Sequence, residues 1–268
     1  MFINMRILLV LGSMLFSSFV FSAEPVDYVF DPLDQRHVLY VPNNSTRSPA
    51  ILILHASTGI EKVNYDWATR LKDRGYVVYM IDSFTPRGWE DRRSVGWEKA
   101  TEAQLEDVLP AFEYLRELPF VDASRIGILG FSMGGFDVLK VMEANPNPVQ
   151  RWHNLPFKAA ASFYPVCHRI PESTRLRKNS KLFIGADDDR APTSDCIRLV
   201  KDSQSLENPV SILIYPDALH GFDNFEFPDS KEIIDEKGEH YHIGFNETAR
   251  QKSLQDMPDF FDAVLKNM

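Results

Sequence analysis

The stretch Arg125-Ile126-Gly127-Ile128-Leu129-Gly130-Phe131-Ser132-Met133-Gly134-Gly135 decides how the chain folds. Its first five residues form a short run of strand type, and helical spacing takes over at Gly134 and runs to Glu143. Between them, Gly130 to Gly134 is a G-x-S-x-G sequence, the pattern in which a serine tops a sharp strand-to-helix turn. Small residues are required on either side, because the turn strains the serine backbone and a bulky neighbour would meet the adjoining strand and helix. The pattern alone arises by chance in roughly one chain in ten of this length, since Gly and Ser are each about 7% of residues. Its position between a strand and a helix is what gives it weight.

Outward from this turn, further apolar runs bounded by turn residues occupy His37–Val41, Ala50–His55, Tyr76–Ile81, Ala159–Tyr164, Lys181–Ile184 and Val210–Tyr215. Most lack polar alternation, which suits strands buried on both faces. Helical spacing marks Lys62–Arg74, Ala100–Leu118, Gly134–Glu143, Thr193–Ser203 and Glu247–Leu265. Alternating strands and helices predict an α/β fold with a mostly parallel central sheet and helices on both faces. Ligands of such sheets bind at the carboxyl ends of the strands.

A serine hydroxyl is a weak nucleophile unless an imidazole takes its proton, and the imidazole needs a carboxylate to fix its tautomer. The order expected with this turn is Ser, acid, His. Past Lys181–Ile184 lies Gly185-Ala186-Asp187-Asp188-Asp189-Arg190-Ala191-Pro192, a turn-rich loop in which spacing leaves all three Asp residues open as the acid. Past Val210–Tyr215 lies Pro216-Asp217-Ala218-Leu219-His220-Gly221-Phe222, with a single His. His240 and His242 also come late, within a charged excursion, so His220 is the candidate base. The backbone N–H of Met133, directly after the serine, is one candidate oxyanion donor, and that of Ser57, in the turn after Ala50–Leu54, is the second. His55 reads as a structural residue at a strand end. The long connection Ser83–Trp97 reads either as a cavity wall or as a solvated loop whose two Trp residues cover the core.

Of 268 residues, 44% are hydrophobic and 38 Asp+Glu outnumber 29 Lys+Arg, a formal charge of -9. This excludes a disordered chain and argues against nucleic acid as a partner, whose phosphates need clustered cations. Residues 1–23 carry one cation, Arg6, then an apolar run from Ile7 to Phe21 and the small residues Ser22 and Ala23. That is the layout of a secretory signal peptide, leaving 24–268 as a single domain destined for the periplasm or the medium. No later stretch is long and apolar enough to span a bilayer.

Together, Asp82–Gly88, Gly130–Gly135, Phe163-Tyr164-Pro165 with Cys167, Gly185–Pro192 with Cys196, and Tyr215–Phe222 resemble the dienelactone hydrolase family of α/β-hydrolases over about residues 35–265. The resemblance implies the α/β-hydrolase fold. It also implies Ser132, Asp188 and His220 as the catalytic residues, with Ser57 as second oxyanion donor. Arg87 matches a motif residue of the family, either contacting substrate in the pocket or tying down the long loop. Two departures stand out: family members proper have a cysteine at the position of Ser132, and a carboxylate in the oxyanion loop where this chain has Ala56. Both favour a general serine esterase over action on dienelactone itself. Cys167 and Cys196 meet only if the strands before them are neighbours, and would then close a disulfide across about 30 residues; two unpaired buried thiols are the alternative. Their spacing matches no zinc pattern.

The expectation is therefore a cofactor- and metal-independent exported serine hydrolase acting on a small ester or lactone. An exported peptidase or thioesterase with the same triad, or a non-catalytic binding protein on this scaffold, are the competing readings.

Overall fold

A computed structural model describes residues 30–267 apart from 44–45, 145–149, 153, 206, 208 and 236–237, so the expected signal peptide at 1–23 lies outside the described residues. Seven strands form the main sheet: β1 (Val38–Tyr40), β2 (Ser48–Leu54), β3 (Val77–Ile81), β4 (Val121–Phe131), β5 (Ala159–Phe163), β6 (Ser180–Gly185) and β7 (Val210–Tyr215). Their order across the sheet is β1-β3-β2-β4-β5-β6-β7. Only β1 runs antiparallel to its neighbour. Every residue of β2, β3 and β5 is buried, which is why these segments read as unbroken apolar runs.

Five helices connect the strands: α1 (Lys62–Asp73), α2 (Trp97–Glu117), α3 (Met133–Val141), α4 (Thr193–Ser203) and α5 (Glu247–Leu265). Two apolar layers flank the sheet. Val63, Trp67 and Leu71 of α1 join Met257, Phe261 and Leu265 of α5 against one face. Val108 and Phe112 of α2, Val138 of α3 and Leu199 of α4 pack against the other. The helices thus lie on both faces, as the strand–helix alternation predicts.

The connection from β2 leads through α1 to β3 on one side, whereas the connection from β4 leads through α3 to β5 on the other. Adjacent loops that part in this way leave a crevice at the carboxyl ends of β2 and β4. The turn containing Ser57 and the turn containing Ser132 border that crevice.

One element departs from the sequence reading. Phe222–Tyr241 offers no readable pattern, yet a separate antiparallel pair, β8 (Lys231–Ile234) and β9 (His240–Ile243), stands there, inserted between β7 and α5. Cys167 and Cys196 form a disulfide, with Cα atoms 5.2 Å apart, and no described cysteine is free. The bond joins the loop after β5 to α4, whose strands β5 and β6 are neighbours. Among the described residues no helix is long and apolar enough to cross a membrane.

Candidate active site

The strand-to-helix turn holds Ser132 at φ 49° and ψ -107°, a backbone conformation that costs a non-glycine residue about 1–3 kcal/mol. The glycines around it are steric necessities. A Cβ on Gly130 would lie 2.1 Å from the Gly134 carbonyl oxygen, and one on Gly134 would lie 2.5 Å from that of His55. The Ser132 N–H donates to the Phe163 carbonyl at 3.0 Å, anchoring the turn to the end of β5.

Of the three acidic candidates only Asp188 is buried; Asp187 and Asp189 are exposed. Its Oδ2 lies 2.8 Å from Nδ1 of His220, and its Oδ1 accepts the Ala191 N–H at 2.7 Å. With Nδ1 donating to the carboxylate, Nε2 of His220 presents its lone pair to the Ser132 hydroxyl, 2.9 Å away. Gly185 lets β6 approach the loop carrying the histidine, since a Cβ there would sit 2.1 Å from the Ala218 carbonyl oxygen. The Gly244 N–H donates to the His220 carbonyl, which fixes the backbone of the histidine from the far side. The three side chains, spread over 88 positions, are thereby in a continuous hydrogen-bonded line.

Met133 opens α3, so its N–H has no carbonyl partner within its own helix and points from the positive end of the helix dipole. Ser57 lines the cavity beside Ser132, and its carbonyl accepts the Arg92 N–H at 2.9 Å. His55 is structural: Nδ1 lies 2.7 Å from the Ala56 carbonyl, and Nε2 accepts the Ser83 N–H at 3.1 Å. Burial lowers its pKa, in keeping with the neutral ring these two bonds require.

The cavity above Ser132 has a volume of about 270 Å³. Ala56, Ser57, Ser132 and His220 form its floor. Trp97, Tyr164, Val166 and Phe227 make side walls, and Ile233, Ile234, Tyr241 and Ile243 of the hairpin supply the outer wall. Glu61, Asp91, Arg92, Arg93, Arg190 and Asp235 add charge. Although the turn after β2 carries Ala56, a carboxyl group does reach the cavity five residues on, at Glu61, where burial raises its pKa.

The long loop is both things expected of it. Asp91, Arg92, Arg93 and Trp97 face the cavity, while Phe84 and Trp89 pack on the core. The placement of Arg87 in a substrate pocket is corrected: Arg87 does not line the cavity. Its guanidinium grips buried Asp107 through two bonds of 2.7 and 2.8 Å and donates to the Ser83 carbonyl at 2.9 Å. Arg87 therefore ties the long loop to α2. The outer wall escaped the sequence reading, although the alternation in His240-Tyr241-His242-Ile243 was a usable signal for a one-sided strand.

A mostly parallel sheet, a serine on a strained strand-to-helix turn after β4, and an acid and a histidine on the loops after β6 and β7 define the α/β-hydrolase fold. The dienelactone hydrolase family model matches residues 36–265, and the chain belongs to that family. Among solved structures it is similar to esterase 2 of Thermogutta terrifontis, phosphorylated by paraoxon, with a TM-score of 0.60, 17% identity, and coverage of 85% of this chain and 88% of that one. It is likewise similar to a dienelactone hydrolase from Anabaena variabilis, with a TM-score of 0.58, 15% identity, and coverage of 85% and 91%. Among curated proteins, cutinase est2 of Thermobifida alba is 28% identical over 120 residues, 43% of this chain and 38% of the cutinase. The chain spans under half the length of most of the curated relatives it matches.

Proposed function

We propose that this protein is a cofactor-independent serine hydrolase that cleaves carboxylic esters or lactones through an acyl-enzyme. The observation that carries the reading is the unbroken line from Asp188 Oδ2 through His220 to Ser132 Oγ, at 2.8 and 2.9 Å. The Ser132 oxygen attacks the acyl carbon while His220 Nε2 takes its proton, and Asp188 stabilises the imidazolium that results. The carbonyl oxygen, now anionic, is met by the N–H groups of Ser57 and Met133, each worth about 10²–10³ in rate. Collapse expels the alcohol, protonated by His220. A water molecule, deprotonated by the same nitrogen, then releases the acid and restores the serine.

The cavity supports a small substrate, because about 270 Å³ lies just below the roughly 300–1,000 Å³ typical of ligand pockets. Its mostly apolar walls suit a short acyl or alkyl group. Export fits the disulfide, which persists in an oxidising compartment, and the apolar run at residues 7–21. Fractionating cells that produce the full chain tests this: the expected result is a protein outside the cytoplasm lacking its first 22 or 23 residues.

Ser132→Ala tests the chemistry. The folded variant should lose about 10⁴-fold or more in kcat on a short acyl ester, retaining only what binding and the oxyanion donors provide. Unchanged turnover would remove the serine mechanism.

A further inference from the structure

The proposed relay leaves one buried acid next to it unused. Asp223, three residues after His220, has no exposed surface. Its Oδ2 accepts the indole N–H of Trp67 at 2.6 Å, and its Oδ1 accepts the hydroxyl of Tyr164 at 2.7 Å. The Tyr164 ring in turn packs edge-on against the His220 imidazole, with centroids 4.8 Å apart and planes at 61°. Tyr164 has a φ of 36°, the left-handed region in which a tyrosine is strained, and directly follows Phe163, whose carbonyl receives the Ser132 N–H. One residue thus adjoins both ends of the serine–histidine bond.

Burying a carboxylate here is costly, with desolvation raising its pKa, and donors on both oxygens offset that cost. An ionised carboxylate is also the group that fits. The Trp67 indole can only donate, so an amide accepting from it would turn its own NH₂ toward Tyr164 and reverse that hydrogen bond. Arg250 of α5 closes the arrangement, donating to the Asp223 carbonyl at 2.8 Å and pairing with Asp66.

We propose that Asp223 is a positioning residue for the proton relay: by holding the Tyr164 hydroxyl it sets the aromatic face that keeps the His220 imidazole aligned between Asp188 and Ser132. Tyr164 and Asp223 then act through one bond, and their effect falls on activation of the serine more than on substrate binding. This rests on the serine-hydrolase reading, and the test separates the two.

Wild type, Tyr164→Phe, Asp223→Asn and the double variant are compared in three measurements: the rate at which a fluorophosphonate labels Ser132, followed by mass spectrometry of the Ser132 peptide; kcat and KM on a short acyl ester; and the melting temperature. Each single variant should label about 10-fold more slowly, with kcat lowered in parallel and KM within about 2-fold, and the double variant should be no slower than the slower single. If Asp223→Asn is too unstable to assay, Tyr164→Phe, which keeps the ring and removes one hydroxyl, decides the matter. Variants that label at the wild-type rate, or losses that add in the double variant, would overturn the role of Asp223 alone. A wild-type protein whose Ser132 stays unlabelled would overturn the serine-hydrolase reading itself.

Discussion

The floor and the outer wall of the cavity are built by opposite means. The floor grows from the carboxyl edge of the main sheet, where glycines let backbone pass within contact distance of backbone and where Asp188 and His220 are almost entirely buried. The outer wall is the β8–β9 hairpin, a two-stranded unit that could not stand alone in water. It is held by side-chain ties, in which Asp189 accepts the His242 N–H and pairs with its Nδ1, both at 2.8 Å, and Arg190 lies over the Tyr241 ring at 4.7 Å and 3.8 Å from Asp235, and by a backbone bridge between Ile243 and His220. Three consecutive residues of one loop therefore serve both regions, Asp188 the proposed relay and Asp189 and Arg190 the wall. The difference suggests that changes in the floor abolish function through a single atom, whereas changes in the wall retune it.

Gly134→Ala should break the floor outright. Its methyl would lie 2.5 and 2.6 Å from the backbone oxygens of His55 and Leu54, contacts that no side-chain movement relieves. We expect a loss of about 3 kcal/mol or more, or no folded protein, measured by denaturant unfolding. The Cys167→Ser, Cys196→Ser pair should cost about 2–4 kcal/mol in the same measurement. It should leave kcat nearly intact, since neither residue touches the serine.

Changes in the wall should sharpen the contrast. Ile233→Ala, on the cavity side of β8, should raise KM several-fold for short acyl esters and move the preferred chain length upward, with kcat and stability close to wild type; a scan of acyl chain lengths reads this. The smallest effect concerns pH. Hydrogen bonding to Asp189, followed by the charge of that same carboxylate, raises the pKa of His242 above the ordinary histidine value. The tie is therefore complete from above the lowered pKa of Asp189 up to about pH 6.5, and weakens as pH rises through the raised value of His242. Hydrogen exchange at the β9 amides, corrected for intrinsic rates, should become faster across that window. His242→Gln should abolish the change.

The same contrast governs how much could be read from the sequence. The strands and helices were visible because parallel strands buried on both faces need unbroken apolar runs, and the turn at Ser132 because its close contacts admit only glycine. Asp188 could not be told from Asp187 and Asp189 by spacing, since in a turn no period sets which side chain points inward; the family resemblance singled it out, and of the three it alone is buried. Arg87 was visible as a residue of interest but not its partner, Asp107, twenty positions away. Asp223 carried no local signal, because its partners Trp67 and Tyr164 lie 156 and 59 positions off. The hairpin was hidden by charge on both faces: Glu232 and His240 stand on the outer one, and Lys231, paired with Ile243, interrupts the apolar series of the face that carries Ile233 and Tyr241.

The central claim, that Ser132 becomes covalently acylated, is tested most directly by rapid mixing with p-nitrophenyl acetate followed by acid quench. The account predicts a burst of about one equivalent of nitrophenol per chain and a single acetyl group on the peptide containing Ser132. Sustained hydrolysis with Ser132 unmodified at every time point, and the acetyl group elsewhere or absent, would contradict it.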